Sequence, residues 1–450
     1  MQRLLCNVEG WRVQHSRYGP GFDKLLRAAE EREAAGSTAF SEYRDFRLRQ
    51  YLQHCAETVP YYREQFARSG FRPGDLRKLS DLAALPVLTK DIVRERGDQF
   101  ASVAVRGGER RISHTSGTTG AGLRFYTTPS AIQEQWAVWW RYRRWHGIER
   151  SNWCGYFGGR SVVPVSVSTP PFWRYNYAAR QIIFSAHHMS ARTMGFYIAE
   201  LRRRKPPWLH GYPSSLALLA GFLRDSGGDL GYQLRWITTG AENLLPHQKR
   251  CIAQAFGISP KQHYGLAEGV ANASECERGA MHVDEDFAAM EFVPAAGGRY
   301  RLVGTGFSNP ATALVRYDTQ DIVELRDEPC SCGRPGRLLA SIDGRQEDYV
   351  VLNDGSRLGR LDHIFKDQVA IREAQFRQRR VGELIVCIVP TSGYSSADER
   401  RLIADLRQRI GDRTDLQIEH LPYLPRTAAG KLRLVVSDLQ QAQIQPELAI

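Results

Sequence analysis

Lysine is scarce in this 450-residue chain. Only eight of its 61 basic residues are lysine, at positions 24, 78, 90, 205, 249, 261, 366 and 431, although the formal net charge is +12. No basic run or lysine-rich tail concentrates that charge, so nucleic acid is not expected as a partner. A diffuse positive field serves as well to steer an anionic nucleotide. Also missing is any stretch near the roughly 18 apolar residues of a membrane-spanning helix, so no membrane partner is expected. The opening residues MQRLLCNVEGWRVQ contain neither the apolar run nor the small-residue cleavage site of a secretory signal. Eight cysteines, at 6, 55, 154, 251, 276, 330, 332 and 387, are too dispersed for a disulfide framework, and a reducing cytoplasm is the expected compartment. Internal repeats and low-complexity tracts are absent as well. With 42% hydrophobic and 24% charged residues, the remaining class is a globular chain long enough to bury a large core without cross-links.

Helical spacing of Phe46, Leu48, Tyr51, Leu52 and Cys55 predicts helical structure over 22–70, with a first segment closed at Val59-Pro60, because a residue before proline avoids helical geometry, and a second short helix from Tyr61. Thr89 is placed to cap a short helix. Arg111 to His114 and Leu123 to Thr127 read as two strands around a turn. Residues 130–146 read as a helix whose Trp136, Trp139, Trp140 and Tyr142 suit core packing better than a ligand wall. From 150 to 325, short apolar runs (181–184, 208–211, 234–238) alternate with helical stretches (190–203, 214–225), which predicts a layered α/β architecture. Residues 300–325 read as antiparallel β structure. Asp343-Gly344-Arg345 is a turn signal, and the tail beyond it reads β-α-β: 383–389, 397–410, 416–418. The expectation is therefore a large N-terminal α/β domain, 1–343, and a small C-terminal α+β domain, 344–450.

Six short motifs bear chemistry. In Thr115-Ser116-Gly117-Thr118-Thr119-Gly120, two glycines free backbone amides and the hydroxyls add donors, which suits a polyphosphate. It lacks the Gly-Lys-Ser/Thr ending of the usual phosphate loop, and a plain polar turn has the same composition. Thr239-Gly240-Ala241-Glu242 follows an apparent strand, where α/β sheets commonly bind ligands. Gln262-His263-Tyr264-Gly265-Leu266-Ala267-Glu268 offers a flat aromatic, a glycine and a carboxylate able to hold a divalent cation. Within Val315-Arg316-Tyr317-Asp318-Thr319-Gln320-Asp321, Asp321 can accept from a ribose diol. Asp343-Gly344-Arg345 and Pro425-Arg426-Thr427-Ala428-Ala429-Gly430-Lys431 complete the set. Apart from these, Cys276, His282, Cys330 and Cys332 form a complete tetrahedral zinc set, with buried cysteines and a surface histidine as the plain alternative.

In this order the six motifs resemble those of the adenylate-forming superfamily of acyl-CoA synthetases, and more narrowly its phenylacetate-CoA ligase branch, which includes capsule-polysaccharide-associated ligases. Two positions depart from the pattern. Ala121-Gly122-Leu123-Arg124 stands where related families often have Pro-Lys or Pro-Thr, and Gln320 stands where a glycine precedes the ribose aspartate. The resemblance implies ATP, Mg²⁺ and a carboxylic acid, an acyl-adenylate, and coenzyme A as the usual acceptor. By carry-over, Ser116 to Gly120 hold the β- and γ-phosphates and Glu268 holds magnesium. Gly240, Ala241 and Glu242 line adenine, and His263, Tyr264 and Gly265 form the aromatic motif that packs on it. Asp321 and Arg345 hold the ribose, and Lys431 bridges the acyl carboxylate and the α-phosphate. A lysine in the tail acts only if that domain moves, which makes Gly344-Arg345 the expected hinge. Relatives with zinc at corresponding positions favour a structural Zn²⁺ at Cys276, His282, Cys330 and Cys332. Trp153, Tyr156, Phe157 and Tyr212 are candidates for an acyl-pocket edge, and the resemblance is compatible with a monomer or a homodimer. Two rivals stay open: a ligase that passes the adenylate to an amine, sugar or carrier protein, and a non-catalytic zinc-containing binding protein on a ligase scaffold.

Overall fold

A computed structural model of the chain describes residues 2–114, 123–160, 162–164, 167–190, 192–345, 350–353, 357–358, 370–411, 413–426 and 432–439. Contacts divide the chain into two compact units. One comprises Val8–Arg150 and Lys261–Asp343; the other comprises Met1–Asn7, Ser151–Pro260 and Gly344–Ile450.

In the first unit the helical stretch expected over 22–70 is three helices, Phe22–Ala34, Gly36–Thr58 and Pro60–Ser69. The first break falls at Gly36, whose φ of 90° only glycine adopts without strain. The second falls at Val59, extended as a residue before proline must be, with Pro60 opening the next helix. Phe46 stays 49% exposed, so the buried stripe runs instead through Phe40, Leu48, Tyr51, Leu52 and Cys55. The aromatic helix spans Pro129–Trp145, capped by Thr128 Oγ1, which accepts from Ala131 N at 3.2 Å. Its Trp140 and Tyr142 are buried, which is core packing.

The sheet of this unit runs in the order Ala289–Pro294, Tyr300–Thr305, Tyr317–Arg326, Leu338–Arg345, Met281–Val283, Asn272–Glu275, Lys261–Gly265. Strand Tyr317–Arg326 buries alternate residues, among them Tyr317, Thr319, Asp321 and Val323, the period of a sheet with one covered face. Its register against Tyr300–Thr305 shifts between Arg301 and Val303. At the irregularity Gln320 takes φ 64°, the conformation that a bulge usually gives to glycine.

A polar chain runs through this unit. Arg141 is almost wholly buried. Its Nη1 donates to Asp286 Oδ2 at 2.8 Å and its Nη2 to Asp284 Oδ1 at 2.7 Å. The other Asp284 oxygen accepts from Asn272 Nδ2 at 2.6 Å and Ser274 Oγ at 2.8 Å. Asn272 Oδ1 in turn accepts from Trp139 Nε1 at 2.8 Å and pairs with His263 Nε2 at 2.9 Å. Since Asn272 Oδ1 can only accept, Nε2 of His263 carries the proton.

The second unit holds the strand order Trp236–Gly240, Trp208–Gly211, Cys154–Phe157, Gln181–Phe184, Trp173–Asn176. The pairings are parallel except at the last strand, which is antiparallel. Helices Met194–Arg204 and Pro213–Asp225 supply the crossovers that parallel strands need, and helix Pro246–Phe256 follows strand Trp236–Gly240. A four-stranded sheet in the order Asp415–His420, Glu383–Pro390, Ile371–Gln378, Val435–Ser437 makes the tail module. The helix Ser396–Ile410 joins the parallel pair Glu383–Pro390 and Asp415–His420. It opens with a capping box, Ser395 N donating to Asp398 Oδ2 at 2.9 Å. This matches the β-α-β expectation, with two further strands added.

Two stability effects follow. Burial, with a smaller contribution from Arg143, pushes His263 down from 6.5 to about 3. Between those values the unfolded chain takes up a proton that the folded chain refuses, so stability falls as pH drops below the unfolded value. Urea unfolding at pH 7 and pH 5 should show His263→Gln losing about 1–2 kcal/mol less than the parent over that interval. Equal losses would mean that His263 is not held neutral. Gln320→Gly should stabilise by about 0.5–1 kcal/mol, the relief of left-handed strain less the added freedom of the unfolded chain. A lower urea midpoint would mean that Gln320 is not strained.

Candidate functional site

Two of the six motifs meet in the first unit. Tyr264, on strand Lys261–Gly265, donates its hydroxyl to Asp321 Oδ2 at 2.6 Å. The N–H of Asp321 donates to Thr319 Oγ1 at 3.1 Å, and that hydroxyl donates to Leu302 O at 3.0 Å. Burial, then the charge of Asp321, raises the Tyr264 phenol well above its ordinary value, so it stays protonated and remains the donor. The aspartate is thus aimed by Tyr264 of strand Lys261–Gly265 and, through Thr319, by the neighbouring strand Tyr300–Thr305, and its carboxylate can accept from a diol. Gly265 is where a bulkier residue would collide: a Cβ there would lie 2.7 Å from Asn272 Oδ1. Glu268 follows in the loop before strand Asn272–Glu275 and is buried. Gln135 Nε2 donates to Leu266 O at 3.1 Å and ties this loop to the aromatic helix. His263 faces inward. It pairs with Asn272, and its ring lies 5.0 Å from that of Trp139 and 5.6 Å from that of Tyr142. It holds the strand rather than presenting a free imidazole.

In the second unit, Gly240, Ala241 and Glu242 end strand Trp236–Gly240. Ala241 takes φ 66°, a left-handed turn that redirects the chain at once. Thr238, one strand position inward, receives Trp208 Nε1 at 2.8 Å and faces His210 Nδ1 at 2.8 Å. The Glu242 carboxylate accepts from Ser214 N at 3.2 Å through Oε2 and from Leu432 N at 3.0 Å through Oε1. Of the pocket-edge candidates, Phe157 is fully buried and stacked on Phe184 at 4.5 Å. It is core. Tyr156 is half-buried beside His210, with ring centroids 5.7 Å apart.

Cys276, His282, Cys330 and Cys332 converge, with one donor atom from each lying within 4.8 Å of the others. The Sγ atoms of Cys276 and Cys330 are 3.7 Å apart, and Cys332 Sγ is 3.3 Å from His282 Nε2. Tetrahedral zinc at ordinary bond lengths sets such pairs at roughly 3.8 and 3.5 Å. His282 Nδ1 lies 3.0 Å from Pro335 O. That contact puts the proton on Nδ1 and leaves Nε2 free to ligate. Burial lowers the imidazole pKa against the opposing effect of that hydrogen bond, and the lowering favours the neutral ring. The thiols differ: burial pushes Cys332 up to about 12, whereas at Cys330 hydrogen bonds, first from the Cys332 N–H, outweigh burial and lower it. Three soft sulfurs and one nitrogen with no carboxylate fit zinc, and a closed set of four leaves no open position for catalysis.

Ser116, Gly117, Thr118, Thr119, Gly120 and Lys431 lie outside the described residues, as does the side chain of Arg345, whose backbone ends strand Leu338–Arg345. Two functional positions had not been singled out in the sequence. Asn272 joins Trp139, His263 and Asp284, and Ser214 meets Glu242. Asn272 had a signal, since asparagine is disfavoured inside a strand such as Asn272–Glu275 unless its amide is used. Ser214 had none, because its contribution is a backbone N–H.

The family model for the CapK C-terminal domain matches residues 351–438. Protein CapK of Staphylococcus aureus is 24% identical over 450 residues, an alignment covering 98% of this chain and 97% of that protein. The phenylacetate-coenzyme A ligase of Escherichia coli (strain K12) is 29% identical over 420 residues, covering 86% of this chain and 92% of that one. Among solved structures, a 2-hydroxyisobutyryl-CoA ligase in the postadenylation state, in complex with 2-HIB-AMP, superposes with a TM-score of 0.71 at 20% identity, covering 92% and 94%. At that identity the likeness is one of fold, a large N-terminal α/β domain followed by a small C-terminal α+β domain. Taken with six motifs in their expected order and relatives aligned over most of the chain, this makes the chain similar to the adenylate-forming acyl-CoA synthetases, and most of all to the phenylacetate-CoA ligase-like, CapK-type branch of these AMP-forming carboxylate ligases.

Proposed function

We propose that the protein activates a small carboxylic acid with ATP, forming an acyl-adenylate and pyrophosphate, and then transfers the acyl group to coenzyme A with release of AMP. The observation that carries this reading is the Tyr264–Asp321 hydrogen bond of 2.6 Å. It joins two motifs 57 residues apart into one oriented carboxylate suited to a ribose diol.

The obstacle to the first step is electrostatic, because a carboxylate must approach a polyphosphate. Positive charge and donors fixed where charge develops lower that barrier. In this reading the amides and hydroxyls of Ser116 to Gly120 hold the outer phosphates. Tyr264 and Asp321, with Arg345, hold the nucleoside. Lys431 delivers a compact positive charge to the reacting carboxylate and α-phosphate. Glu268, a hard oxygen donor, would hold magnesium, which when bound offsets phosphate charge. Cys276, His282, Cys330 and Cys332 would hold structural zinc and tie the hairpin after Glu268 to the loop after Asp321. The name-giving substrate of the branch suggests an aryl or arylacetic acid. Coenzyme A is the acceptor favoured by the ligase relatives, and an amine, sugar or carrier protein is the alternative.

Pyrophosphate exchange with a panel of acids tests the first step, and faster AMP release on adding coenzyme A tests the second. Lys431→Ala should slow exchange by about 10²–10³-fold, while thiolysis of supplied acyl-adenylate largely survives. Undiminished exchange in that variant would remove Lys431 from the mechanism. Silence over a broad panel, with tight salt-sensitive DNA binding, would favour the non-catalytic rival. Protein purified without chelators should carry about one zinc per chain, and Cys332→Ser should lose most of it together with thermal stability. Metal content well below about half an equivalent in the parent would count against the site.

A further inference from the structure

Glu242 has an unusual pair of partners. Tyr212, the N-cap of helix Pro213–Asp225, makes no side-chain cap, so the first N–H groups of that helix need an acceptor from elsewhere. Glu242 Oε2 supplies it at Ser214 N, 3.2 Å away. Its other oxygen, Oε1, accepts from Leu432 N at 3.0 Å. That N–H belongs to the peptide bond joining Leu432 to Lys431. Arg426, on the other side of residues 427–431, pairs with Glu373 of strand Ile371–Gln378 and also acts on the charge of Glu242. Both flanks of the lysine segment are therefore tied, one of them directly to this carboxylate. Its aim is set by Ala241, whose left-handed φ of 66° turns the chain just before it.

We infer that Glu242 is a positioning residue for the adenylation step: it clamps the segment carrying Lys431 by accepting the Leu432 N–H while it caps helix Pro213–Asp225. This rests on the assignment of Lys431 to that step. A carboxylate accepting two backbone N–H groups at a helix N-terminus is a strong, directional anchor. A peptide plane fixed at one end restricts where the next residue can start. The clamp matters only when the lysine is in use, so it should affect one half-reaction and not the other.

Hydrogen exchange on the intact protein tests the contact without any chemistry. In Glu242→Ala the Leu432 amide should exchange about tenfold faster or more than in the parent, with Glu242→Gln intermediate because it keeps an acceptor oxygen. Kinetics test the role. Glu242→Ala should slow pyrophosphate exchange about 10–100-fold more than it slows thiolysis of supplied acyl-adenylate. In a double-mutant cycle, adding Glu242→Ala to Lys431→Ala should cost almost nothing more, because the effect passes through the lysine. Unchanged Leu432 exchange overturns the clamp and leaves the adenylation reading standing. Faster amide exchange with undiminished pyrophosphate exchange overturns the positioning role. Equal losses of AMP affinity and thiolysis would make Glu242 a nucleotide-lining or general structural residue instead. If the parent catalyses no pyrophosphate exchange with any acid, the assignment of Lys431 fails and the positioning role fails with it.

Discussion

A guanidinium sealed from water cannot shed its proton, so its charge must be balanced in place. Arg141 sets that requirement for the first unit. Burying an ion costs several kcal/mol, and removing one partner of a buried pair costs about 3–5 kcal/mol because the other is left uncompensated. The structure supplies three carboxylates, Glu33 at 3.4 Å and, within hydrogen-bond reach, Asp284 and Asp286. The last two set the strand register. They are not equivalent. Asp286 also meets Arg32, and against burial these two arginines keep its pKa low. At Asp284 burial wins and raises the pKa. Its second oxygen therefore has to be satisfied by neutral donors, Asn272 and Ser274. Once the Asn272 amide nitrogen is committed there, its oxygen points at Trp139 and His263. Strand Lys261–Gly265, which bears Tyr264, is thus registered by a chain of obligations that begins at a buried arginine. Apolar packing alone would tolerate a slip; unsatisfied polar groups would not.

The same local device recurs beside two candidate site carboxylates. Ala241 precedes Glu242 at φ 66°, and Gln320 precedes Asp321 at φ 64°. A side chain in the left-handed region costs roughly 1–2 kcal/mol, and strain of that kind persists only where the surroundings over-determine it. In each case the surroundings include the acid itself. Glu242 is held by two backbone N–H groups, and Asp321 by a phenol and, through its own N–H, by Thr319. The turn aims the carboxylate, and the hydrogen bonds of the carboxylate hold the turn.

Much of this was legible in the sequence because the signals were local. Val59-Pro60 and the Thr89 cap mark helix ends by covalent and hydrogen-bond rules that operate within four residues. The alternation of Tyr317, Thr319, Asp321 and Val323 is the sheet period itself. That Cys276, His282, Cys330 and Cys332 converge was expected chiefly from the family resemblance, since Cys276 and Cys332 are 56 positions apart in the chain. What was not legible depends on long-range pairing. Phe46 fits the helical period yet faces solvent, because the stripe that meets the core is offset from it. Phe157 reads as a pocket edge only until Phe184 is found stacked on it. The inward turn of His263 depends on Asn272, nine residues away, and on an aromatic helix more than a hundred residues earlier in the chain. The partners of Glu242 are backbone N–H groups, which every residue type except proline carries, so no sequence pattern could announce them.

The arginine bias of the chain takes on meaning when the two cation types are compared by task. Arginine presents a rigid fork suited to fixed pairing, and several arginines are used that way: Arg316 holds Glu291, Arg337 holds Glu285, and Arg426 holds Glu373. Lysine is a compact charge on a flexible stem and loses less when its partner changes. A cation that has to neutralise an acid and a phosphate in one step, and then release both, is poorly served by a bidentate fork. In the proposed mechanism, the lysine between Gly430 and Leu432 would supply such a transferable charge, and the Glu242–Leu432 hydrogen bond would order the amide beside it.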